Sequence, residues 1–91
     1  MVKELQYTSQ FKRELRLARK RGEKVDLLER VIHQLADGQS LAPRHRPHRL
    51  SGAFEGAWEC HVTPDFLLIW EETKDKIILL RLGTHSDVFR T

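Results

Sequence analysis

The chain of 91 residues lacks the features that several classes of protein require. It has one cysteine, Cys60, so no disulfide can form within it, which favours a reducing compartment. No apolar run is long enough to cross a membrane, and the first residues lack the apolar core of a secretion signal. The helical His-Glu-x-x-His pattern and the paired cysteines that identify metal sites are also absent. We therefore expect a soluble cytoplasmic protein with one domain over residues 1–91 and no membrane contact.

Positive charge is concentrated in the first half of the chain. Residues 12–49 carry 11 lysines and arginines against 5 acidic residues, a net charge of +6, whereas residues 50–91 carry a net charge of −3. A basic half of this kind is typical of a protein that binds nucleic acid or an acidic protein. For residues 12–24 alone, solvation of a helix surface explains the charge equally well. The charge as a whole favours an anionic substrate or partner.

The hydrophobic pattern of the first half predicts a strand followed by two helices. Residues 2–7 place apolar side chains on one side, as in a half-buried strand. Thr8 or Ser9 supplies the cap of a first helix that ends at Gly22. A second amphipathic helix follows over residues 25–36. Their short connection predicts an antiparallel helical hairpin.

The second half of the chain changes to a period of two residues, which predicts strands. Residues 39–56 are rich in proline, glycine, serine and basic residues, and they predict a surface loop. Three strands follow at residues 57–62, 66–70 and 77–82. Because their connections are short, these strands should be antiparallel neighbours in a meander. The predicted fold is α+β, an N-terminal strand and an antiparallel helical hairpin packed on one face of an antiparallel sheet.

Histidines and an aspartate lie where the predicted strands begin or end. His61 closes the first strand of the meander, Asp65 lies in the next turn, and His85 follows the last strand. Neighbouring strands are about 4.8 Å apart, so these three side chains should converge at one end of the sheet. His48 ends a proline-rich basic run ahead of them. Because histidine exchanges protons near neutral pH, the set predicts proton-transfer chemistry.

Each of these residues also has a purely structural interpretation. His61 shares the register of Glu59 and could face solvent, and Asp65 is a common residue of turns. His48 and His85 could be exposed loop residues. Their convergence favours a functional site. A metal held by His61, Asp65 and His85 is the competing interpretation, but without a metal motif we favour proton transfer and expect no cofactor.

The sequence indicates no catalytic role for the other histidines or for the cysteine. His33 on the second helix and His45 in the loop have the pattern of surface positions. Cys60 alternates with Trp58 and Val62, so we expect its thiol to be buried and not nucleophilic.

Cleavage of a phosphodiester bond in RNA fits the remaining side chains. The reaction needs a base for the 2′-hydroxyl proton, an acid for the leaving oxygen and cations for the charge that grows on phosphate. The histidines supply acid and base, and Arg81 on the last strand supplies a cation. Phe66 and Phe89 could stack on exposed bases, although Phe66 begins an apolar strand and could equally belong to the core.

The order of several short motifs resembles that of a known family. The motifs are His48-Arg49-Leu50-Ser51-Gly52, Gly56, the run from His61 to Trp70, Arg81-Leu82-Gly83-Thr84-His85 and Phe89. The chain resembles, over nearly its whole length, the YafQ-type branch of the RelE superfamily, the mRNA interferase toxins of bacterial toxin–antitoxin pairs. The resemblance implies a RelE-like toxin that cuts mRNA in the ribosomal A site, contacts ribosomal RNA and is held inactive by a cognate antitoxin encoded nearby.

The resemblance also implies roles for individual residues. Four positions match the family's catalytic set. His85 matches the main proton donor, and the base, the phosphate contact and the orienting group are found among His48, His61 and Asp65. Phe89 matches an aromatic residue that positions the substrate, and Arg81 matches a basic position that could steady the phosphate. Phe66 stands where the family often has tryptophan.

Two other functions remain open at this point. One is a non-catalytic toxin of the same fold, resembling the ParE gyrase inhibitors, which has no need of the histidines. The other is an RNA- or ribosome-binding module that cuts nothing, in which Arg44, Arg46 and Arg49 carry the binding. These arginines are also predicted substrate-binding residues in the leading hypothesis, a ribosome-dependent endoribonuclease that uses no metal.

Overall fold

A computed structural model describes residues 2–89 of the chain. It contains the predicted N-terminal strand, the two helices and the three strands of the meander, in that order. In chain order the helices and strands are β1 (Glu4–Tyr7), α1 (Ser9–Arg21), α2 (Val25–Ala36), β2 (His48–Arg49), β3 (Trp58–Thr63), β4 (Phe66–Glu72), β5 (Lys76–Gly83) and α3 (His85–Phe89). No helix in this part of the chain is long and apolar enough to cross a membrane.

The strands form a mixed sheet in the order β1-β5-β4-β3-β2. β3, β4 and β5 are antiparallel neighbours, which confirms the predicted meander. β1 lies parallel to β5, with Leu5 opposite Ile77. A parallel pair needs a long crossover connection, and the helical hairpin is part of that connection. The separate helical hairpin and antiparallel meander confirm the predicted α+β class.

The first helix begins and ends where the sequence predicts. Thr8 is the N-cap, since its Oγ1 accepts a hydrogen bond of 3.1 Å from the backbone N–H of Phe11. The same hydroxyl donates to the carbonyl oxygen of Leu79 on β5 at 2.8 Å. Gly22 ends the helix in the left-handed conformation, with φ of 75°. The start of α1 is thus tied directly to β5.

Both helices pack on one face of the sheet and form the main core with it. Trp58 and Trp70 stack at the end of this core with ring centroids 6.4 Å apart. The buried members of the core are Phe11, Ala18, Leu28, Val31, Ile32 and Leu35 from the helices and Cys60, Val62, Phe66, Leu68, Trp70, Ile77, Leu79 and Leu82 from the sheet.

Residues 50–54 of the loop and α3 cover the opposite face of the sheet, whereas Leu41 of the same loop packs against the main core. Leu50 and Phe54 of the loop pack with Ile69 of β4 and Val88 of α3 in a smaller cluster. The loop also contains β2, which the sequence did not predict, because a strand of two residues shows no periodicity and is defined only by its pairing with β3. Both faces of the central strands are covered, and the histidines lie where loop, sheet and α3 meet.

Candidate active site

His48 lies on β2 beside a buried carboxylate of β3. Its Nε2 is 3.0 Å from Oε1 of Glu59, and its Nδ1 is 2.8 Å from the carbonyl oxygen of Arg46. Arg46 itself has a φ of 47°, a left-handed conformation that is uncommon outside glycine. Each ring nitrogen of His48 therefore lies close to an oxygen, a backbone carbonyl on one side and the side chain of Glu59 on the other. The carbonyl oxygen can only accept, so the Nδ1 of His48 donates to it and the ring is held in one orientation.

His61 lies at the end of β3, and its side chain is 16% exposed. Its Nδ1 is 3.2 Å from the carbonyl oxygen of Pro64, and its Nε2 is 3.9 Å from Oε1 of Glu59. Because the carbonyl oxygen can only accept, this contact places the proton on Nδ1 and leaves the Nε2 lone pair without a hydrogen bond. A nitrogen in that state can take up a proton.

His85 is the first residue of α3 and lies beside Asp65. Its backbone N–H donates to Oδ1 of Asp65 at 3.4 Å, and its ring Nδ1 is 3.5 Å from the same oxygen. The two side chains are 57% and 72% exposed, so substrate can reach them. The carboxylate of Asp65 beside Nδ1 orients the ring, which suits a proton donor.

The position of His85 is fixed by a capping arrangement at the start of α3. Thr84 Oγ1 accepts from the backbone N–H of Asp87, and Asp87 Oδ2 accepts from the backbone N–H of Thr84. Arg21 of α1 pairs with the same carboxylate at 2.7 Å. The Thr84 N–H and the charge of Arg21 hold the pKa of Asp87 below its ordinary value. A Cβ on Gly83 would lie 2.8 Å from Cβ of Asp87, so this close approach requires glycine.

The predicted site residues of β2, β3 and α3 form a row of rings. The ring centroids of His48 and His61 are 6.4 Å apart, and those of His61 and His85 are 5.8 Å apart. Phe89, which is 38% exposed, continues the row at 6.0 Å from His85. Asp65 lies beside this row. The structure thus brings together the four predicted catalytic side chains and one of the two predicted aromatic contacts.

Phe66 is a core residue. It is 1% exposed and packs in the cluster beneath the helices, with Leu68 and Val62. The sequence left Phe66 between base stacking and the core, and its burial decides for the core. The stacking prediction for this position is wrong, because its ring presents no open face to a base.

Arg81 does not lie among the histidines. Its guanidinium forms a bidentate pair with Glu14 of α1 at 2.9 to 3.1 Å and also donates to the carbonyl oxygen of Asp87. Glu14 accepts in addition from the backbone N–H of Leu82, at the sheet edge that β1 leaves open. The expected phosphate contact would require Arg81 to leave this partner. The structure favours a role for Arg81 in holding α1, β5 and α3 together.

The three loop arginines are placed differently from one another. Arg44 is exposed, in the 3₁₀ turn that precedes β2. Arg46 is exposed and supplies the carbonyl oxygen that His48 faces. Arg49 lies over the ring of Trp58, with 5.2 Å from its guanidinium carbon to the ring centroid. Arg46 thus contacts His48 through its backbone, and the guanidinium of Arg49 is held against Trp58.

The sequence missed two buried polar residues of the site. Glu59 is 3% exposed, although its register with His61 was interpreted as solvent-facing. His45 is also 3% exposed, and its Nδ1 donates to the carbonyl oxygen of His61 at 2.7 Å, so the surface position predicted for it is wrong. A signal for Glu59 existed in the apolar run of residues 66–70, since a continuous apolar strand has both faces covered and its neighbour should share that cover. His45 lies in the loop, where no such pattern is present.

Cys60 is inert in this structure. It is 0% exposed, and burial together with the nearby charge of Glu59 raises the pKa of its thiol to about 12. The thiolate is the nucleophilic form, so this residue offers no covalent chemistry near neutral pH. Among residues 2–89, no group of three His, Cys, Asp or Glu side chains is placed to hold a metal ion.

Comparisons with known proteins identify the family of the chain. Residues 3–90 match the model of the family described as bacterial toxin of type II toxin–antitoxin system, YafQ. The mRNA interferase toxin YafQ of Escherichia coli strain K12 is 28% identical over 88 residues, which cover 96% of each chain. The crystal structure of YafQ from E. coli strain BL21(DE3) superimposes with a TM-score of 0.91 at 27% identity, covering 96% of this chain and 98% of that one. The E. coli DinJ-YafQ toxin–antitoxin complex matches with a TM-score of 0.90 at 28% identity, covering 98% and 99%. As the order of its motifs predicts, the chain belongs to the YafQ family of bacterial toxins of type II toxin–antitoxin systems.

Proposed function

We propose that this chain is an mRNA interferase, a ribosome-dependent endoribonuclease that cuts mRNA in the ribosomal A site. The observation that carries the proposal is the row of His48, His61 and His85 beside the carboxylate of Asp65, with neighbouring rings 5.8 to 6.4 Å apart. That spacing lets one nucleotide touch several of these groups at once. The name of the E. coli relative, an mRNA interferase toxin, supports the same reaction.

His85 is the general acid of the proposed mechanism. Its ring is exposed and held beside Asp65, so it can give a proton to the 5′-oxygen that leaves as the P–O bond breaks. Stabilising this leaving group is the step in which a carboxylate-oriented imidazole contributes most, because the oxygen would otherwise depart as an alkoxide.

His61 and His48 have the two other roles in the mechanism, general base and stabilising positive charge. His61, whose Nε2 has no hydrogen bond, removes the proton of the 2′-hydroxyl as that oxygen attacks phosphorus. His48, whose two nitrogens both face acceptors, supplies positive charge for the phosphorane-like transition state. Phe89, next to His85, positions the nucleotide by stacking.

Charge supports the proposed partners. Ribosomal RNA is an anion, and Arg44 and Arg46, in the segment that leads into His48, are exposed and can attract it. We further propose that a cognate antitoxin covers this chain and holds it inactive, as the DinJ-YafQ complex of E. coli suggests by its name. The toxin acts in the bacterial cytoplasm, where both partners are found.

Primer extension on a translated mRNA tests the proposal. We expect stops inside the coding region when purified protein is added to a translating extract, and full-length products when ribosomes are omitted or initiation is blocked. Intact mRNA together with DNA damage would instead support a ParE-like gyrase inhibitor. Intact mRNA together with ribosome binding that weakens steeply with salt would support a binding module without cleavage.

A further inference from the structure

Glu59 is an acidic side chain in a place where an apolar one would be expected. Its side chain is 5% exposed, and it lies in register with Ile69 on the covered face of the sheet. Burying an ionised carboxylate costs several kcal/mol unless charges and hydrogen bonds compensate for it. One of its oxygens, Oε2, is buried with no hydrogen-bond partner. Stability of the fold alone does not explain this residue.

The groups that face Glu59 are histidines. Its Oε1 is 3.0 Å from Nε2 of His48 and 3.9 Å from Nε2 of His61. Within residues 2–89, no lysine or arginine nitrogen lies within 4.0 Å of this carboxylate, and the guanidinium of Arg49 is placed over Trp58 instead. The other neighbouring ionisable group is the thiol of Cys60, which is protonated. Any charge that compensates Glu59 must therefore come from an imidazole.

The second nitrogen of His48 is fixed by the backbone. Its Nδ1 faces the carbonyl oxygen of Arg46, a residue held in the left-handed conformation that directs the chain into β2. The carbonyl oxygen accepts from Nδ1 and so keeps a proton on that nitrogen. Protonation of Nε2, which lies 3.0 Å from Oε1 of Glu59, then makes the ring a cation beside the carboxylate.

We propose that Glu59 is a positioning residue that holds His48 as a doubly protonated, cationic ring at one end of the row. The proposal rests on the proposed function, because it assigns Glu59 a part in the same cleavage. Glu59 is buried behind His48 and touches no RNA. It acts through the ring, whose positive charge faces the phosphate as negative charge develops there.

Glu59→Gln separates this role from a structural one. The substitution keeps the size of the side chain and removes its charge. We expect the single-turnover rate of cleavage at saturating ribosome to fall about 10- to 100-fold. The ribosome concentration that gives half the maximal rate should stay the same, because a buried side chain makes no contact with the ribosome. Thermal unfolding should change little, because the His48 ring that loses its charged partner is 47% exposed and stays solvated. A purely structural role predicts the reverse, a less stable protein with weaker binding.

The matched control is Glu71→Gln on β4. Glu71 is an exposed acidic residue of the same sheet, and removing its charge should leave the cleavage rate within about twofold, as expected for a surface substitution. A cleavage rate for Glu59→Gln within the same range as this control would overturn the proposal.

Nitrogen-15 NMR of the free protein tests the ring directly and needs neither ribosome nor RNA. In the wild-type protein at neutral pH we expect both nitrogens of His48 to show the shifts of N–H groups, and in Glu59→Gln we expect Nε2 to shift toward a neutral ring. A wild-type His48 with one protonated nitrogen would contradict the proposal even if the variant failed to fold. If the wild-type protein cut no mRNA but the ring behaved as expected, the cleavage function would fail while the pairing of Glu59 with His48 would stand.

Discussion

Replacing His85 by alanine should lower the rate of mRNA cleavage on the ribosome by about 10²- to 10⁴-fold, the usual contribution of a positioned general acid. The fold should persist, because the side chain is 57% exposed and the hydrogen bond to Asp65 from the backbone N–H of residue 85 is kept. Single-turnover cleavage, followed by primer extension, gives the rate, and thermal unfolding gives the stability.

His33→Ala is the control for His85→Ala. His33 is an exposed histidine on α2, away from the row of rings, and its loss should leave both cleavage and stability unchanged. Cleavage by His85→Ala at the wild-type rate would remove His85 from the mechanism. A large loss of stability in that variant would show that the residue supports the fold of α3 instead.

Phe66→Ala should lower the free energy of unfolding by about 3–5 kcal/mol, the cost of removing a fully buried phenylalanine from a packed core. The ring is 1% exposed and contacts helices and sheet alike. Urea denaturation followed by tryptophan fluorescence measures the change. If Phe66→Ala kept the full stability of the protein but cleaved mRNA poorly, the result would contradict the core position of Phe66 and support a stacking role.

Phe89→Ala is the complementary substitution. This ring is 38% exposed and meets Phe54 edge to face at 6.0 Å, so its removal should cost at most about 1 kcal/mol of stability. Its place 6.0 Å from His85 predicts a larger effect on cleavage. Phe66→Ala should therefore lower mainly the stability of the protein, and Phe89→Ala should lower mainly its rate of mRNA cleavage.

Local pattern was sufficient to predict β1, α1, α2 and the three strands of the meander, but not β2 or α3. It also indicated the end of the sheet at which His61, Asp65 and His85 meet. α2 has the bounds that its apolar stripe predicts, and the short turns of the meander leave only antiparallel neighbours for β3, β4 and β5. The chain returns to the same end of the sheet after every two antiparallel strands. The positions of His61, Asp65 and His85 relative to the turns were therefore enough to place them together.

The features that the sequence did not reveal depend on contacts between distant parts of the chain. The pairing of β2 with β3 and the capture of Arg81 by Glu14, 67 residues away, leave no periodic signal. Hydropathy also treats every polar residue as a candidate for the surface. His45 is buried because it packs against β3, where its Nδ1 donates to the carbonyl oxygen of His61, and only the tertiary structure shows that contact.

A single 2′-deoxynucleotide tests most directly whether these histidines move protons during cleavage of RNA. Ribosomes are programmed with an mRNA whose cut position has first been mapped, and the nucleotide on the 5′ side of that position is then replaced by its 2′-deoxy form. If His61 takes the 2′-hydroxyl proton, the all-ribose message should be cut to a 2′,3′-cyclic phosphate and a 5′-hydroxyl, and the deoxy message should stay whole at that position. Cleavage of both messages at the same rate would contradict the mechanism.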